Sequence, residues 1–175
     1  SISPGILVID FKPNFEYSYV FRTQITQGLE PEIEGPLSKY FSVEKNNIQK
    51  DGTFIIKVKL PNEIDSPGKN IVYVGLTETG AGGGTIVAVA SIRAPIYINV
   101  PYPGIYAEAG LMVRDLNNNE STNFSVTISN KGKEDISKSK AVIDILDKDQ
   151  KIIDKLFTEE KRVKIGKTIQ LKAEF

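Results

Sequence analysis

The feature that most constrains this chain is a two-residue alternation of apolar and polar side chains in short runs, broken about every ten residues by proline, glycine or asparagine. In Phe54-Ile55-Ile56-Lys57-Val58-Lys59-Leu60, for example, Phe54, Ile56, Val58 and Leu60 fall on one side and Lys57 and Lys59 on the other. A period of two is the signature of a strand with one buried face, and strands this short and this evenly spaced predict an all-β sandwich. Helical periodicity is nearly absent.

In the first half, strands are predicted at Ile6–Phe11, Tyr17–Thr23, Tyr40–Val43, Thr53–Leu60, Ile71–Leu76, Thr85–Ala94 and Ile96–Val100. Pro31 and Pro36 mark the stretch after Thr23 as a connection. In the second half, strands are predicted at Ala107–Val113, Asn123–Ser129, Ala141–Leu146, Ile152–Phe157 and Thr168–Phe175. Between the halves, Pro101-Tyr102-Pro103-Gly104 has two prolines two residues apart, which interrupt ladder bonding and stiffen the chain. The expected organisation is two tandem immunoglobulin-like β-sandwich domains, 1–100 and 105–175, joined at 101–104. Five strands fall short of the seven such a sandwich generally has. The second domain is therefore expected to lack its last strands, either because the native chain continues or because a strand comes from elsewhere.

Composition removes whole classes of chemistry. The 175 residues include no cysteine and no histidine, which excludes disulfides, thiolate or imidazole metal ligands, and serine–histidine hydrolysis. Twenty-two basic and 22 acidic residues give zero formal charge, so no net field draws in nucleic acid. No apolar run is long enough to span a bilayer, so membrane attachment would need an anchor outside this chain. The start, Ser1-Ile2-Ser3-Pro4-Gly5, carries neither a methionine nor a signal sequence and is expected to be a processed or trimmed end.

The residues Asn123-Phe-Ser-Val-Thr-Ile-Ser-Asn130-Lys-Gly-Lys-Glu-Asp135, Ala141 to Gln150, and Ile165-Gly-Lys-Thr-Ile-Gln-Leu171 resemble the cell-adhesion-related (CARDB-like) immunoglobulin-like modules of secreted archaeal and bacterial proteins. Ile2 to Pro13, Val58-Lys-Leu-Pro61 and Ser66 to Gly75 resemble the PapD-like sandwich at the start of archaeal surface proteins. The basic pair with which pilus chaperones grip a terminal carboxylate is not identifiable. These resemblances imply an extracellular or cell-surface protein without enzymatic activity or cofactor, serving as spacer and interaction surface. The alternative they leave open is a filament subunit or assembly factor that exchanges β-strands. The partner is expected to be a protein, or a second copy, engaged through sheet edges.

Several local features invite a sharper reading. The run Thr79-Gly80-Ala81-Gly82-Gly83-Gly84 is glycine-rich, but a phosphate loop needs a following helix and a lysine, and here a strand follows. It is expected to be a hairpin tip, with Gly80, Gly82, Gly83 and Gly84 available for contact. Asn117 and Asn118 offer a second contact loop. Asn119 and Asn123 each begin an Asn-x-Ser sequon and are candidate glycosylation sites, Asn119 being the better placed. Asp115, Asn117, Asn118, Asn119 and Glu120 supply hard oxygen ligands but lack the spacing of a calcium loop, and Asp147-Lys148-Asp149 reads as a turn. Glu30, Glu32 and Glu34 are expected on one side of an extended segment, solvated and mutually repelling. Tyr17, Tyr19, Tyr73, Tyr97, Tyr102 and Tyr106 are expected in cross-strand and interdomain packing.

Overall fold

A computed structural model describes residues 1–25, 28–78, 91–114 and 121–174. They are all-β, as the alternation predicts, and fall into two compact units, Ser1–Val100 and Pro101–Phe175.

The strands of the first unit are β1 (Ile2–Ser3), β2 (Leu7–Asp10), β3 (Glu16–Thr23), β4 (Leu29–Glu34), β5 (Phe41–Asn47), β6 (Thr53–Lys59), β7 (Gly68–Glu78) and β8 (Ser91–Val100). One helical turn, α1 (Ile48–Asp51), lies between β5 and β6. One sheet has the order β1-β3-β6-β5 and the other β2-β8-β7-β4. In immunoglobulin lettering these are A-B-E-D and A′-G-F-C, the two-sheet order of a constant-type domain with its first strand shared between the sheets. All pairs are antiparallel except β2 and β8, which run parallel with Leu7 opposite Ile96 and Asp10 opposite Asn99.

The alternation does what it predicts. Phe54, Ile56 and Val58 of β6 point inward with Phe21 of β3, and meet Val72, Val74 and Leu76 of β7 and Ala94, Ile96 and Ile98 of β8. Phe21 and Phe54 stack at 5.3 Å between ring centroids. Among the described residues, seventeen buried apolar side chains make this core, most of them without contact with water. At roughly 1.5–3 kcal/mol each, they are what holds the two sheets face to face.

Two expectations for this unit need correction. The stretch after Thr23 was expected to be a connection, but it contains β4, because Pro31 sits on an edge strand where a missing N–H costs little. The break expected at Pro95 is also absent: β8 runs continuously through it. Pro95 lies one residue ahead of the β2 pairing, which begins at Ile96, so no ladder donor is lost there.

The second unit contains β9 (Ala107–Met112), β10 (Asn123–Asn130), β11 (Ile136–Ser139), β12 (Val142–Leu146), β13 (Ile152–Phe157), β14 (Lys161–Val163) and β15 (Thr168–Glu174). They form a three-stranded sheet β15-β10-β9 and two separate pairs, β11-β14 and β12-β13. The described residues thus hold seven strands where five were expected. The two missed, Ile-Ser-Lys-Ser and Lys-Arg-Val, are too short and polar to show a period. The shortfall in strand number therefore does not stand. What sets this unit apart is its thin second layer: seven buried apolar residues form its core, and Phe124, Val126 and Ile128 keep 8% of their surface in water, where the central residues of the first core keep none.

Residues 101–104, expected to be a joint, are hydrogen-bonded within the second unit. The Tyr102 N–H donates to the Lys131 carbonyl (2.9 Å), and the Lys133 N–H donates to the carbonyls of Tyr102 (3.0 Å) and Gly104 (2.9 Å). Gly132 permits this approach, since a Cβ there would lie 2.4 Å from the Gly104 oxygen. Buried Asn130 fixes the turn: its amide donates to the Glu134 carbonyl (2.8 Å) and the Val163 carbonyl (3.0 Å), and its Oδ1 accepts the Gly132 N–H (3.0 Å).

Two expected outcomes follow from these cores. Ile96→Ala in the first unit should cost about 4 kcal/mol and Ile128→Ala in the second about 2, since the latter site is already partly wet; denaturant unfolding measures both. Asn130→Ala removes three hydrogen bonds and leaves the buried Val163 carbonyl and the buried Gly132 N–H unpaired, so a loss of about 3 kcal/mol is expected by the same method.

Candidate functional site

A strand has two rows of main-chain donors and acceptors, and a strand at the edge of a sheet has one row unpaired unless something covers it. The edges of the two units are treated differently.

In the first unit, three of the four edges, β1, β5 and β4, carry a deterrent. β1 is two residues long. β5 has a bulge between Val43 and Lys45, which breaks the regular row of main-chain groups along that edge. β4 carries Pro31 and three glutamates. These glutamates were expected to repel one another in water, yet each has its own partner. Glu30 accepts from the Asn46 amide on β5 (2.9 Å), tying the edges of the two sheets together. Glu32 accepts from the Thr77 hydroxyl, which holds its carboxyl below the usual range. Glu34 forms a two-pronged ion pair with Arg93 (2.8 and 3.0 Å). That pair spans β7, and it can do so because β7 has Gly75 beneath it, where a Cβ would lie 3.1 Å from Arg93 Cγ. On the same outer face, the Lys69 ammonium sits 3.6 Å from the Tyr97 ring centroid, and the Asn99 amide donates to Asp10 (2.9 Å).

In the second unit, one end of the three-stranded sheet is clasped. The alternation set by the Asn130 N–H donating to the Lys167 carbonyl leaves Gln170 and Lys172 of β15 facing away from β10. Their groups are taken up by side chains: the Lys172 N–H donates to Glu159 (3.2 Å), and Lys161 donates to the Gln170 carbonyl (3.0 Å). Glu159 and Lys161 are themselves paired at 2.5 Å. The Lys161 bond and the Lys172 N–H push the Glu159 carboxyl down to about 2.

The other end, β9, has no such cover among the described residues. All six of its residues, Ala107-Glu108-Ala109-Gly110-Leu111-Met112, are exposed. Leu111 is 58% and Met112 70% in water. The Lys131 N–H donates to the Tyr106 carbonyl, which fixes the alternation against β10: Glu108, Gly110 and Met112 bond inward, and the main-chain groups of Ala107, Ala109 and Leu111 point out. Val126 is opposite Leu111, and Ile128 opposite Ala109, so Leu111 and Ala109 lie on the core face of the sheet at its open margin. The β12-β13 pair adds further apolar surface in Val142, Ile153 and Phe157, with Lys140 over the Phe157 ring at 4.7 Å.

The residues singled out in the sequence lie mostly elsewhere. Gly80, Gly82, Gly83, Gly84, Asn117, Asn118 and Asn119 fall outside the described residues, as do Asp115 and Glu120. Asn123 is exposed as the first residue of β10, paired with Glu174, while Phe124 and the Ser125 hydroxyl of its sequon are buried. Asp147 spends one oxygen on the N–H groups of Asp149 (2.8 Å) and Lys151 (2.9 Å), so it shapes a turn. Among the described residues, no group of three or more acidic side chains gathers as a metal site. Tyr17 and Tyr19 pack at 4.8 Å and Tyr102 on Tyr106 at 3.8 Å. Sequence reasoning missed β9 as a site. The strand itself was predicted, at Ala107–Val113, but its place at a sheet edge depends on which strands pair with it, which the segment does not show.

A depressed carboxyl stabilises the fold above its unfolded value and ceases to do so as pH falls through its folded value. The Glu159 clasp should therefore persist at pH 4.5 and open as pH falls towards about 2. An NMR titration of the Glu159 carboxyl should find its midpoint there; a midpoint at the ordinary glutamate value would mean that the clasp is open in solution.

Compared with known proteins, the chain matches no family model, and no curated protein matches it either.

Proposed function

We propose that this chain is a non-enzymatic structural and adhesive module that binds other proteins through the sheet edges of its second unit. The observation that carries this reading is the contrast between edges: β4, β5 and β1 of the first unit are blunted by Pro31, a bulge and shortness, and β15 by Glu159 and Lys161, whereas β9 is open among the described residues. Natural proteins cover or charge such edges because an open one recruits another strand. An open row next to apolar Leu111 and Met112 is the arrangement strand addition uses, main-chain bonds supplying affinity and side chains selectivity. The first unit, with a sealed core and three of its four edges guarded, suits a spacer.

The extracellular or cell-surface setting belongs to this proposal. It rests on the resemblance of both halves to modules of secreted and surface proteins, including the archaeal ones. The narrower alternative, a filament subunit or assembly factor working by strand exchange, draws support from the thin layer over the second core, where a donated strand would find apolar surface at Val142 and Phe157.

Hydrogen exchange on the dilute chain tests the open edge. The N–H groups of Ala109 and Leu111 should exchange at nearly unprotected rates while those of Gly110 and Met112 are protected by β10. Protection of all four in the dilute monomer would mean that the chain covers its own edge, and the interaction reading would fall.

A further inference from the structure

We infer that the strand added to β9 is β9 of a second copy of this chain, antiparallel about a two-fold axis at Gly110, so that two β15-β10-β9 sheets become one six-stranded sheet. This rests on the interaction reading above and names its partner.

The argument is one of register. Two identical antiparallel strands related by a two-fold axis through Gly110 place Ala109 opposite Leu111 of the second copy, Glu108 opposite Met112, Ala107 opposite Val113, and Gly110 opposite itself. No like charges meet. The outward residues Ala109 and Leu111 become directly opposed, which is the geometry in which two residues exchange both main-chain hydrogen bonds. Gly110 has no side chain to hold the strands apart, and the space a Cβ would fill is empty.

The side chains agree with that register. Leu111 and Ala109 lie on the core face beside Val126 and Ile128, which remain partly wet. In the pair, Leu111 of each copy covers Ala109 of the other, and the two leucines sit on the diagonal within reach of each other. The same surface is used on both copies, as closed two-fold assembly requires.

The β12, β13 and β15 edges of the second unit lack this self-match. Pairing β12 with itself about its midpoint sets Asp144 against Asp144, and β13 does the same with Asp154 or Lys155. β15 is occupied by Glu159 and Lys161.

Light scattering over a dilution series, with hydrogen exchange at each end of it, tests the proposal on three full-length chains: wild type, Ala109→Pro and Leu111→Lys. The Ala109 N–H points outward, so proline there removes no bond to β10. Leu111→Lys leaves the backbone unchanged should the proline disturb it. The proposal expects the wild-type mass to double with concentration while the Ala109 and Leu111 amides gain protection. Both variants should associate at least about tenfold more weakly. Dimers unaffected by either substitution would overturn it, since the contact would lie elsewhere. A wild type that stays monomeric with those amides freely exchanging would also overturn it, while leaving the edge open to another protein's strand. Protection in the dilute monomer would remove the interaction reading as well.

Discussion

A β-strand must dispose of two rows of main-chain hydrogen-bonding groups, and the whole arrangement of this chain follows from how the outermost rows are handled. In the first unit, burial is generous: alternate residues of β3, β6, β7 and β8 lock two four-stranded sheets together, and three of the four edges are short, bulged or charged. The glutamates of β4 make the point well. They guard an edge, and each is held by a partner on a different strand, Asn46, Thr77 or Arg93, so the guard also braces the sandwich.

The second unit divides its edges. β15 is closed by a clasp of two opposite charges that cap one donor and one acceptor between them. Such a clasp gains little as an exposed ion pair, since water and salt screen the attraction and holding two long side chains costs entropy. Its effect is steric and directional, because a row already engaged cannot be extended by another strand. β9, with alanine, glycine and leucine along the same sheet, has nothing comparable among the described residues.

Much of this was legible in the sequence. The alternation in Thr53–Lys59 and in Asn123–Asn130 reports burial of one face, and both strands form where it predicts. What was not legible follows a physical pattern. β4 was hidden by Pro31, because proline argues against a strand unless one knows that the strand is at an edge, which is a property of the sheet and not of the segment. β11 and β14 are short, and what places them is the reach of the Asn130 side chain to Glu134 and Val163. The open edge at β9 was invisible for the same reason as β4: whether a strand has one neighbour or two is decided by residues far away in the chain.

The parallel pairing of β2 with β8 has a mechanical consequence. Leu7 to Asp10 lie beside Ile96 to Asn99, at the two ends of the first unit's chain, and run in the same direction. Tension applied to Ser1 and Val100 therefore pulls these strands past each other along their length. The ladder bonds between them are loaded together in shear, where a hairpin pulled from its open end would yield one bond at a time. A unit connected in this way resists stretching out of proportion to its thermodynamic stability, because forced rupture is governed by the rate of unfolding.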